Sequence, residues 1–319
     1  MNKPTAPAVR MAVIVLCGAA AGCAPAVDTK PNIQAQRNGE ATMTNESEPC
    51  TALDDPAVAA VVFHPRPEAP GYAPKGIPTR TSCGDAEIGG YLHVNTNSDS
   101  LLVFFHGNGE IAADYDASLS SVYTDCGVSY WVLDYRGYGR STGTPSFSSM
   151  FTDARAALED IPRLEKQIGR EFKHVLVMGR SLGSAPAIHL AVTCADRLTA
   201  LLLDSGYAHG LELIRRLGGP ALSSEDLPSF HDNINKMGHC RLPTLIVHGT
   251  NDRIIPFFEA KALYRACGAE FKRLVEIPGA GHNDLLLRGF QAYLSAVRDF
   301  LAKTTSTPAA GTEAGPPSE

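Results

Sequence analysis

Short apolar runs recur along the middle of the chain, and most of them end in a turn that contains glycine. Their apolar positions are continuous rather than alternating, which is typical of strands buried on both faces, as in a parallel sheet. Six such runs are candidate strands: residues 101–105, 130–133, 175–178, 200–203, 244–247 and 274–277.

Segments of helical length separate these runs, and strands that alternate with helices indicate a parallel sheet covered on both faces. We therefore predict an α/β fold with a mostly parallel, doubly wound sheet of about eight strands. Residues 57–63 and 86–94 are predicted to add the first, more antiparallel strands. The predicted helices cover residues 112–124, 150–168, 182–194, 257–266 and 286–302.

A Gly-x-Ser-x-Gly sequence at residues 179–183 joins a predicted strand to a predicted helix. Glycine on both sides of Ser181 permits a sharp turn that lifts the serine hydroxyl above the sheet. Reactive groups of such sheets gather beyond the carboxyl ends of the strands. We therefore predict Ser181 as a nucleophile; the alternative is that Ser181 caps the following helix.

A serine nucleophile needs a base, and the base needs a carboxylate that orients it. Asp252 lies in the loop after the strand at 244–247, and His282 lies in the loop after the last strand. The order serine, aspartate, histidine is the one typical of this arrangement. We predict Ser181, Asp252 and His282 as the catalytic residues.

Acyl transfer also needs two backbone N–H groups directed at the developing oxyanion. Leu182 would supply one of them from the turn, and the other should come from the loop that follows the strand at 101–105. We predict the N–H of Asn108 for this role, with Gly109 as the alternative. His106 is predicted to order the same loop by hydrogen bonding.

Three further features have competing interpretations. Asp204, which follows the strand at 200–203, is the alternative orienting carboxylate. Asp284 is close to His282 in sequence and is more typical of a helix cap. The glycine-containing loop at 134–141 lacks both nucleotide-binding spacings, so we predict a structural loop that walls the site.

The overall charge and the motif content exclude several functions. A net charge of −6 without a basic cluster argues against a nucleic-acid partner. Neither a Cys-x-x-Cys nor a His-Glu-x-x-His spacing occurs, so no metal is predicted. The chemistry predicted for Ser181 requires no cofactor.

The N-terminus resembles an export signal. A basic start is followed by an apolar stretch at residues 11–21, which is shorter than the roughly 20 residues that span a bilayer. Cys23 lies where a bacterial lipobox has its lipidated cysteine, and plain secretion or a retained segment are the alternatives. We predict residues 1–23 as the signal, 24–48 as a flexible tether, 49–303 as the folded domain and 304–319 as a disordered tail.

Six cysteines outside the signal and lipobox suit an oxidising compartment such as the periplasm or cell envelope. The helix at 257–266 should return the chain to the start of the strand at 244–247. We therefore predict a disulfide between Cys240 and Cys267, and Cys50 with Cys83 is a second candidate pair. Nothing in the sequence brings Cys126 and Cys194 together.

Taken together, the motifs around His106, Asp134, Ser181, Asp252 and His282 resemble those of α/β-hydrolase-domain serine hydrolases. The most similar branch is the small one with a minimal cap that includes protein depalmitoylases and bacterial relatives. The resemblance covers residues 101–301 and implies hydrolysis of an ester or thioester through an acyl-enzyme.

The short segment between residues 205 and 244 leaves room for a helix near 211–217 but for no large lid, so we predict an open site. A peptidase or acyltransferase with the same three residues is an alternative function. A non-catalytic binding protein on this fold is another, because a fold alone does not set function.

Overall fold

The computed structural model describes residues 52–223 and 232–305, all within a unit that spans Cys50–Glu319. The predicted signal, the lipobox cysteine, the tether and nearly all of the predicted tail lie outside the described residues. Within them, eight strands form one sheet: β1 Ile77–Cys83, β2 Ala86–His93, β3 Ser100–Phe105, β4 Ser129–Leu133, β5 His174–Arg180, β6 Ala200–Asp204, β7 Thr244–Gly249 and β8 Lys272–Ile277.

The strand order is β1-β2-β4-β3-β5-β6-β7-β8. Strand β2 pairs antiparallel with both β1 and β4, and all other neighbours pair parallel. The central strands β3, β4 and β6 are buried along their whole length, as their continuous apolar sequences indicate. The predicted mostly parallel sheet of about eight strands is confirmed.

Helices cover both faces of this sheet through amphipathic or wholly apolar surfaces. The longest is α4, which begins behind a Ser146 cap and ends at Gly169 in a left-handed conformation. The helices of the described residues are α1 Pro56–Val62, α2 Ala112–Ser118, α3 Ser120–Thr124, α4 Phe147–Ile168, α5 Ser184–Thr193, α6 Gly210–Arg216, α7 Asn233–His239, α8 Phe257–Ala266 and α9 Leu285–Thr305.

The predicted strand at 57–63 is wrong, because this segment forms helix α1. Asp55 caps the helix by accepting a 2.7 Å hydrogen bond from the N–H of Ala57, and Pro56 occupies the first turn. An acidic cap followed by proline is a helix-start signal that outweighs the β-branched residues after it. The first strand of the sheet is instead β1, in which buried and exposed positions alternate. Two of its three buried positions are threonines, so β1 contains no continuous apolar run.

The single helix predicted at 112–124 is two helices, α2 and α3, that meet at Leu119. Serine side chains bond backward to carbonyl groups here: Ser118 Oγ donates to the carbonyl of Asp114, and Ser120 Oγ donates to that of Asp116. Hydroxyl bonds of this kind bend a helix, which explains the break.

Two seven-residue helices, α6 and α7, lie between β6 and β7 on either side of residues 224–231. Helix α6 matches the short helix predicted there, whereas α7 was not predicted. Because residues 224–231 are not described, an open site remains a prediction. No helix among the described residues has the length and apolarity needed to cross a membrane.

The predicted disulfide between Cys240 and Cys267 is not present, because both residues are buried free cysteines. Their side chains are hydrogen-bonded to each other, and this bond together with burial raises the pKa of the Cys240 thiol. Helix α8 thus returns the chain beside Cys240 as expected, but thiol contact replaces a covalent bond. Cys83, Cys126 and Cys194 are also free, and Cys50 lies outside the described residues.

Candidate active site

The turn between β5 and α5 holds Ser181 in a left-handed conformation with φ of 51°. Such a conformation is strained for a residue with a side chain. The turn fits only because its flanks are glycine: a Cβ on Gly179 would lie 2.1 Å from the carbonyl oxygen of Gly183. A Cβ on Gly183 would lie 2.1 Å from the carbonyl oxygen of Phe105 on the neighbouring strand. This geometry directs the Ser181 side chain beyond the end of β5. The cap position of α5 is Gly183, which excludes the alternative that Ser181 is a simple helix cap.

Ser181, His282 and Asp252 form a chain of hydrogen bonds although they come from three loops. Ser181 Oγ lies 2.9 Å from His282 Nε2. His282 Nδ1 lies 2.7 Å from Asp252 Oδ2. All three residues are buried. An ionised carboxylate can only accept, so Nδ1 is the donor and Nε2 is left to accept the serine proton.

The Asp252 carboxylate is held in its ionised form by the groups around it. Burial alone would raise its pKa, but hydrogen bonds from His248 and His282 and from the N–H of Ile255 lower that pKa well below its usual range. Oδ1 accepts from the N–H groups of Ile254 and Ile255 at 2.9 and 2.8 Å. An ionised, fixed carboxylate is the partner that a histidine base requires.

The two other candidate carboxylates are engaged elsewhere. Asp204 Oδ2 accepts from the hydroxyl of Tyr293 at 3.0 Å, and its Oδ1 accepts from Ser205 Oγ at 2.8 Å. Asp284 Oδ1 accepts from the N–H of Gly281 at 2.6 Å, which closes the loop that carries His282. The structure therefore pairs His282 with Asp252 and uses Asp284 as a local cap.

Leu182 and Asn108 are the predicted sources of the two oxyanion N–H groups. Leu182 is in the first turn of a short 3₁₀ helix, where N–H groups have no intrahelical acceptor. The loop after β3 places Asn108 so that its side-chain Oδ1 accepts from the Tyr138 hydroxyl at 2.8 Å and from the N–H of His64 at 2.9 Å. Gly109 follows in the same loop with φ of 73°, and it stays the alternative donor.

The loop at 134–141 is organised by its own first residue and forms the neighbouring wall. Asp134 accepts from the N–H of Ala112 at 2.7 Å and from that of Arg140 at 3.3 Å. Its Oδ1 lies 3.4 Å from His106 Nε2, and the Tyr135 hydroxyl donates to the carbonyl of His106 at 2.6 Å. These contacts agree with structural interpretations of His106 and of the loop.

Several supporting residues were not predicted from the sequence. Tyr138 and His64 fix the Asn108 side chain, and Arg66 Nε donates to the carbonyl of Gly109 at 2.7 Å. His248 Nε2 lies 3.3 Å from Asp252 Oδ2. Of these residues, only His248 could have been identified from the sequence, because it lies near the end of β7, the strand that precedes Asp252. Among the described residues, no group of three or more histidine, cysteine or acidic side chains is arranged to hold a metal ion.

A Gly-x-Ser-x-Gly turn between a strand and a helix in a mostly parallel eight-stranded sheet is typical of the α/β-hydrolase class of fold. Among solved structures, an esterase of Pyrococcus furiosus has a TM-score of 0.63 at 17% identity, covering 76% of this chain and 100% of that one. That likeness concerns the fold alone. A family model described as serine aminopeptidase S33 matches residues 96–214.

Relatives of higher identity define the family. Alpha/beta hydrolase domain-containing protein 17B of Xenopus tropicalis is 31% identical over 229 residues, which are 70% of this chain and 74% of that protein. Alpha/beta hydrolase domain-containing protein aho-3 of Caenorhabditis elegans is 33% identical over 210 residues, and the match spans 64% of this chain but only 58% of that protein. The chain belongs to the α/β-hydrolase family.

Proposed function

We propose that this protein is a serine hydrolase that cleaves carboxylic esters or thioesters through an acyl-enzyme. The observation that carries the proposal is the chain of hydrogen bonds from Ser181 to His282 at 2.9 Å and from His282 to Asp252 at 2.7 Å. Groups at these distances can transfer the serine proton to the imidazole as the bond to the acyl carbon forms.

In the proposed reaction, Ser181 Oγ attacks the acyl carbon while His282 Nε2 takes the hydroxyl proton. The N–H groups of Leu182 and Asn108 stabilise the oxyanion that develops. Collapse of the tetrahedral intermediate breaks the bond to the alcohol or thiol, which leaves with the proton from His282. Water then attacks the acyl-enzyme with His282 again as the base, which releases the acid and restores Ser181.

Exposed apolar side chains that are close in sequence to Asp252 and His282 favour an apolar acyl group. Among the described residues, the large apolar side chains that are exposed include Ile254, Phe258 and Leu287. Ile254 and Phe258 follow Asp252 closely in the chain, and Leu287 follows His282. We propose that these side chains contact an aliphatic acyl group, since exposed apolar surface can form a ligand-binding groove. A thioester substrate would match the protein depalmitoylases that the motifs resemble.

A peptidase is the second candidate, because the matching family model is described as serine aminopeptidase S33. The same serine, histidine and aspartate could attack an amide carbonyl. The fold of the Pyrococcus furiosus esterase favours ester cleavage for this chain only as an analogy. A comparison of acyl esters, acyl thioesters and aminoacyl amides as substrates separates these candidates.

The direct test is hydrolysis of p-nitrophenyl esters of increasing acyl length by the wild type and by Ser181→Ala. We expect turnover by the wild type that depends on acyl length, and a loss of about 10⁴-fold or more in Ser181→Ala, the scale found when a serine nucleophile is removed. Unfolding curves of both proteins serve as the folding control. Equal hydrolysis by the folded Ser181→Ala variant would contradict the proposal.

We further propose that the enzyme is exported and lipid-anchored through Cys23, which lies outside the described residues. The support is the sequence pattern alone: a basic start, a short apolar stretch and a cysteine after small residues. Mass spectrometry of the mature protein tests this proposal. A lipidated N-terminal Cys23 is expected, and a mass that retains residues 1–22 would contradict it.

A further inference from the structure

Arg180, the residue immediately before Ser181, contacts two other loops of the site. One end of its guanidinium, Nη2, donates to the carbonyl oxygen of His282 at 2.9 Å and lies 3.2 Å from Asn283 Oδ1. The other nitrogen, Nη1, forms an ion pair with Oε1 of Glu110. One side chain therefore joins the turn of the nucleophile to the loop of the base and to the loop after β3.

Glu110 completes the connection on the side of the predicted oxyanion loop. Its Oε2 accepts from the N–H of Gly107 and from the hydroxyl of Tyr115, both at 2.6 Å. Burial alone would raise the pKa of Glu110, but the Arg180 charge and these hydrogen bonds lower it. A Cβ on Gly107 would lie 2.7 Å from Arg180 Nη1 and 2.8 Å from Glu110 Oε2. The loop that carries Asn108 is thus packed directly against the ion pair.

Energetics argue that this pair serves geometry more than stability. Its side chains are only 15% and 9% exposed. At that degree of burial the cost of removing both charges from water offsets most of their attraction, so an apolar pair of similar size is often as stable. A guanidinium, however, offers several donors in a rigid planar fork, and can therefore hold a carboxylate and a carbonyl oxygen at fixed positions at once.

We propose that Arg180 and Glu110 are positioning residues for the hydrolytic reaction. Arg180 holds the main chain of His282 so that Nε2 stays within reach of Ser181 Oγ, and Glu110 holds Gly107 so that the next N–H, that of Asn108, faces the oxyanion. Neither side chain touches the reacting atoms. The inference rests on the proposed serine hydrolase function and extends it by naming what sets the spacing between the three loops.

The test compares three variants by kcat, KM and thermal unfolding. Arg180→Gln removes the fork, and a misplacement near 1 Å is expected to lower kcat by about 10²-fold with little change in KM. Arg180→Lys keeps a charge beside Glu110 but offers a single ammonium, so a smaller loss of kcat is expected. The double variant Arg180→Gln with Glu110→Gln leaves no unpaired buried charge. Its Tm should recover relative to Arg180→Gln while its kcat stays low.

Arg80→Gln is the matched control, because Arg80 pairs with Glu87 on the exposed edge of the sheet with both side chains 50% exposed. We expect its kcat and Tm to stay close to those of the wild type. A double variant that regains wild-type kcat together with its Tm would overturn the inference, because the pair would then act on stability alone. Unchanged kcat in Arg180→Gln would overturn it as well.

A crystal structure of Arg180→Gln gives a readout that does not depend on turnover. The separation of Ser181 Oγ and His282 Nε2 should exceed the 2.9 Å of the wild type. An unchanged separation would overturn the positioning role whether or not the protein hydrolyses esters. Absence of ester hydrolysis by the wild type, in contrast, would contradict the proposed function and leave this geometric measurement valid.

Discussion

Asp252 shows how single residues create the chemistry of the site. One carboxylate oxygen faces His282, while the other accepts two backbone N–H groups from its own loop at 2.9 and 2.8 Å. The second histidine, His248, approaches the same oxygen as His282. These donors lower the pKa of Asp252 despite its burial, so the side chain stays ionised and fixes the imidazole in the form that can accept a proton.

Asp252→Asn should therefore lower kcat by about 10⁴-fold, because an amide can donate to Nδ1 and so stabilise the wrong tautomer of His282. Asp204→Asn is the matched control, since Asp204 bonds to Tyr293 and Ser205 instead. Ester hydrolysis by both purified variants is the measurement. A large loss in Asp204→Asn with near-normal activity in Asp252→Asn would show that the orienting carboxylate is Asp204.

The contact between Ser181, Asp252 and His282 could be expected from the sequence, because each residue follows a strand with a recognisable pattern. The sequence did not reveal Arg180 and Glu110, which are 70 positions apart and meet only through the parallel order of β3 and β5. Tyr138 and His64 were missed for the same reason. The local sequence pattern indicates which residues lie at strand ends. Contacts between loops depend instead on the register of the strands and on side-chain direction.

At the scale of elements, a buried carboxylate joins the loop after β6 to helix α8. Glu259 lies in the first turn of α8, and its Oε2 accepts from the N–H groups of Ala208 and His209 at 3.0 and 3.1 Å. His209 Nδ1 lies 2.9 Å from the same oxygen. The hydrogen bond with Glu259 raises the pKa of His209. The charge of Asp232 raises this pKa as well, whereas the charge of Arg216 lowers it.

Because the pKa of His209 is raised on folding, its contribution to stability is complete below the unfolded value of about 6.5 and is lost as the pH rises through the folded value. We expect His209→Gln to unfold more easily than the wild type at pH 5.5, with a smaller difference at pH 9. The effect should be about 1 kcal/mol or less, because the side chain is 39% exposed and solvent screens the pair.

Urea unfolding of the wild type, His209→Gln and the control His64→Gln at both pH values measures this effect. His64 is exposed, and among the described residues only its backbone N–H makes a hydrogen bond. The control should therefore show the same difference from the wild type at both pH values. A His209→Gln difference that grows from pH 5.5 to pH 9 would contradict the assigned sign.

The bounds of strands buried on both faces could be predicted from the sequence. The bounds of elements that depend on local capping residues could not. Strands β3, β5 and β6 were predicted within two residues, because strands inside a parallel sheet require apolar side chains on both faces. Helix α1 was predicted as a strand, because its Asp-Pro start is a less conspicuous pattern than the apolar residues that follow it. Strand β1 was not predicted, because an edge strand needs no continuous apolar run. The break between α2 and α3 depends on serine side chains whose backward bonds cannot be read from composition.

On the scale of the whole molecule, the parallel order of the strands assembles one site from distant parts of the chain. Strands β3, β5, β7 and β8 all end at the same edge, and the loops that follow them carry Asn108, Ser181, Asp252 and His282. The antiparallel strands β1 and β2 extend the sheet at the opposite side from β7 and β8. Most of the fold therefore serves to hold four loops at fixed separations.

The most direct test of this account is reaction of the folded protein with a fluorophosphonate, which an activated serine attacks with loss of fluoride. Intact mass and peptide mapping locate the adduct, and circular dichroism confirms folding. We expect one adduct on the wild type, placed on Ser181, and none on Ser181→Ala. A folded wild type without an adduct, or an equal adduct on Ser181→Ala, would contradict the claim that Ser181 is the activated nucleophile.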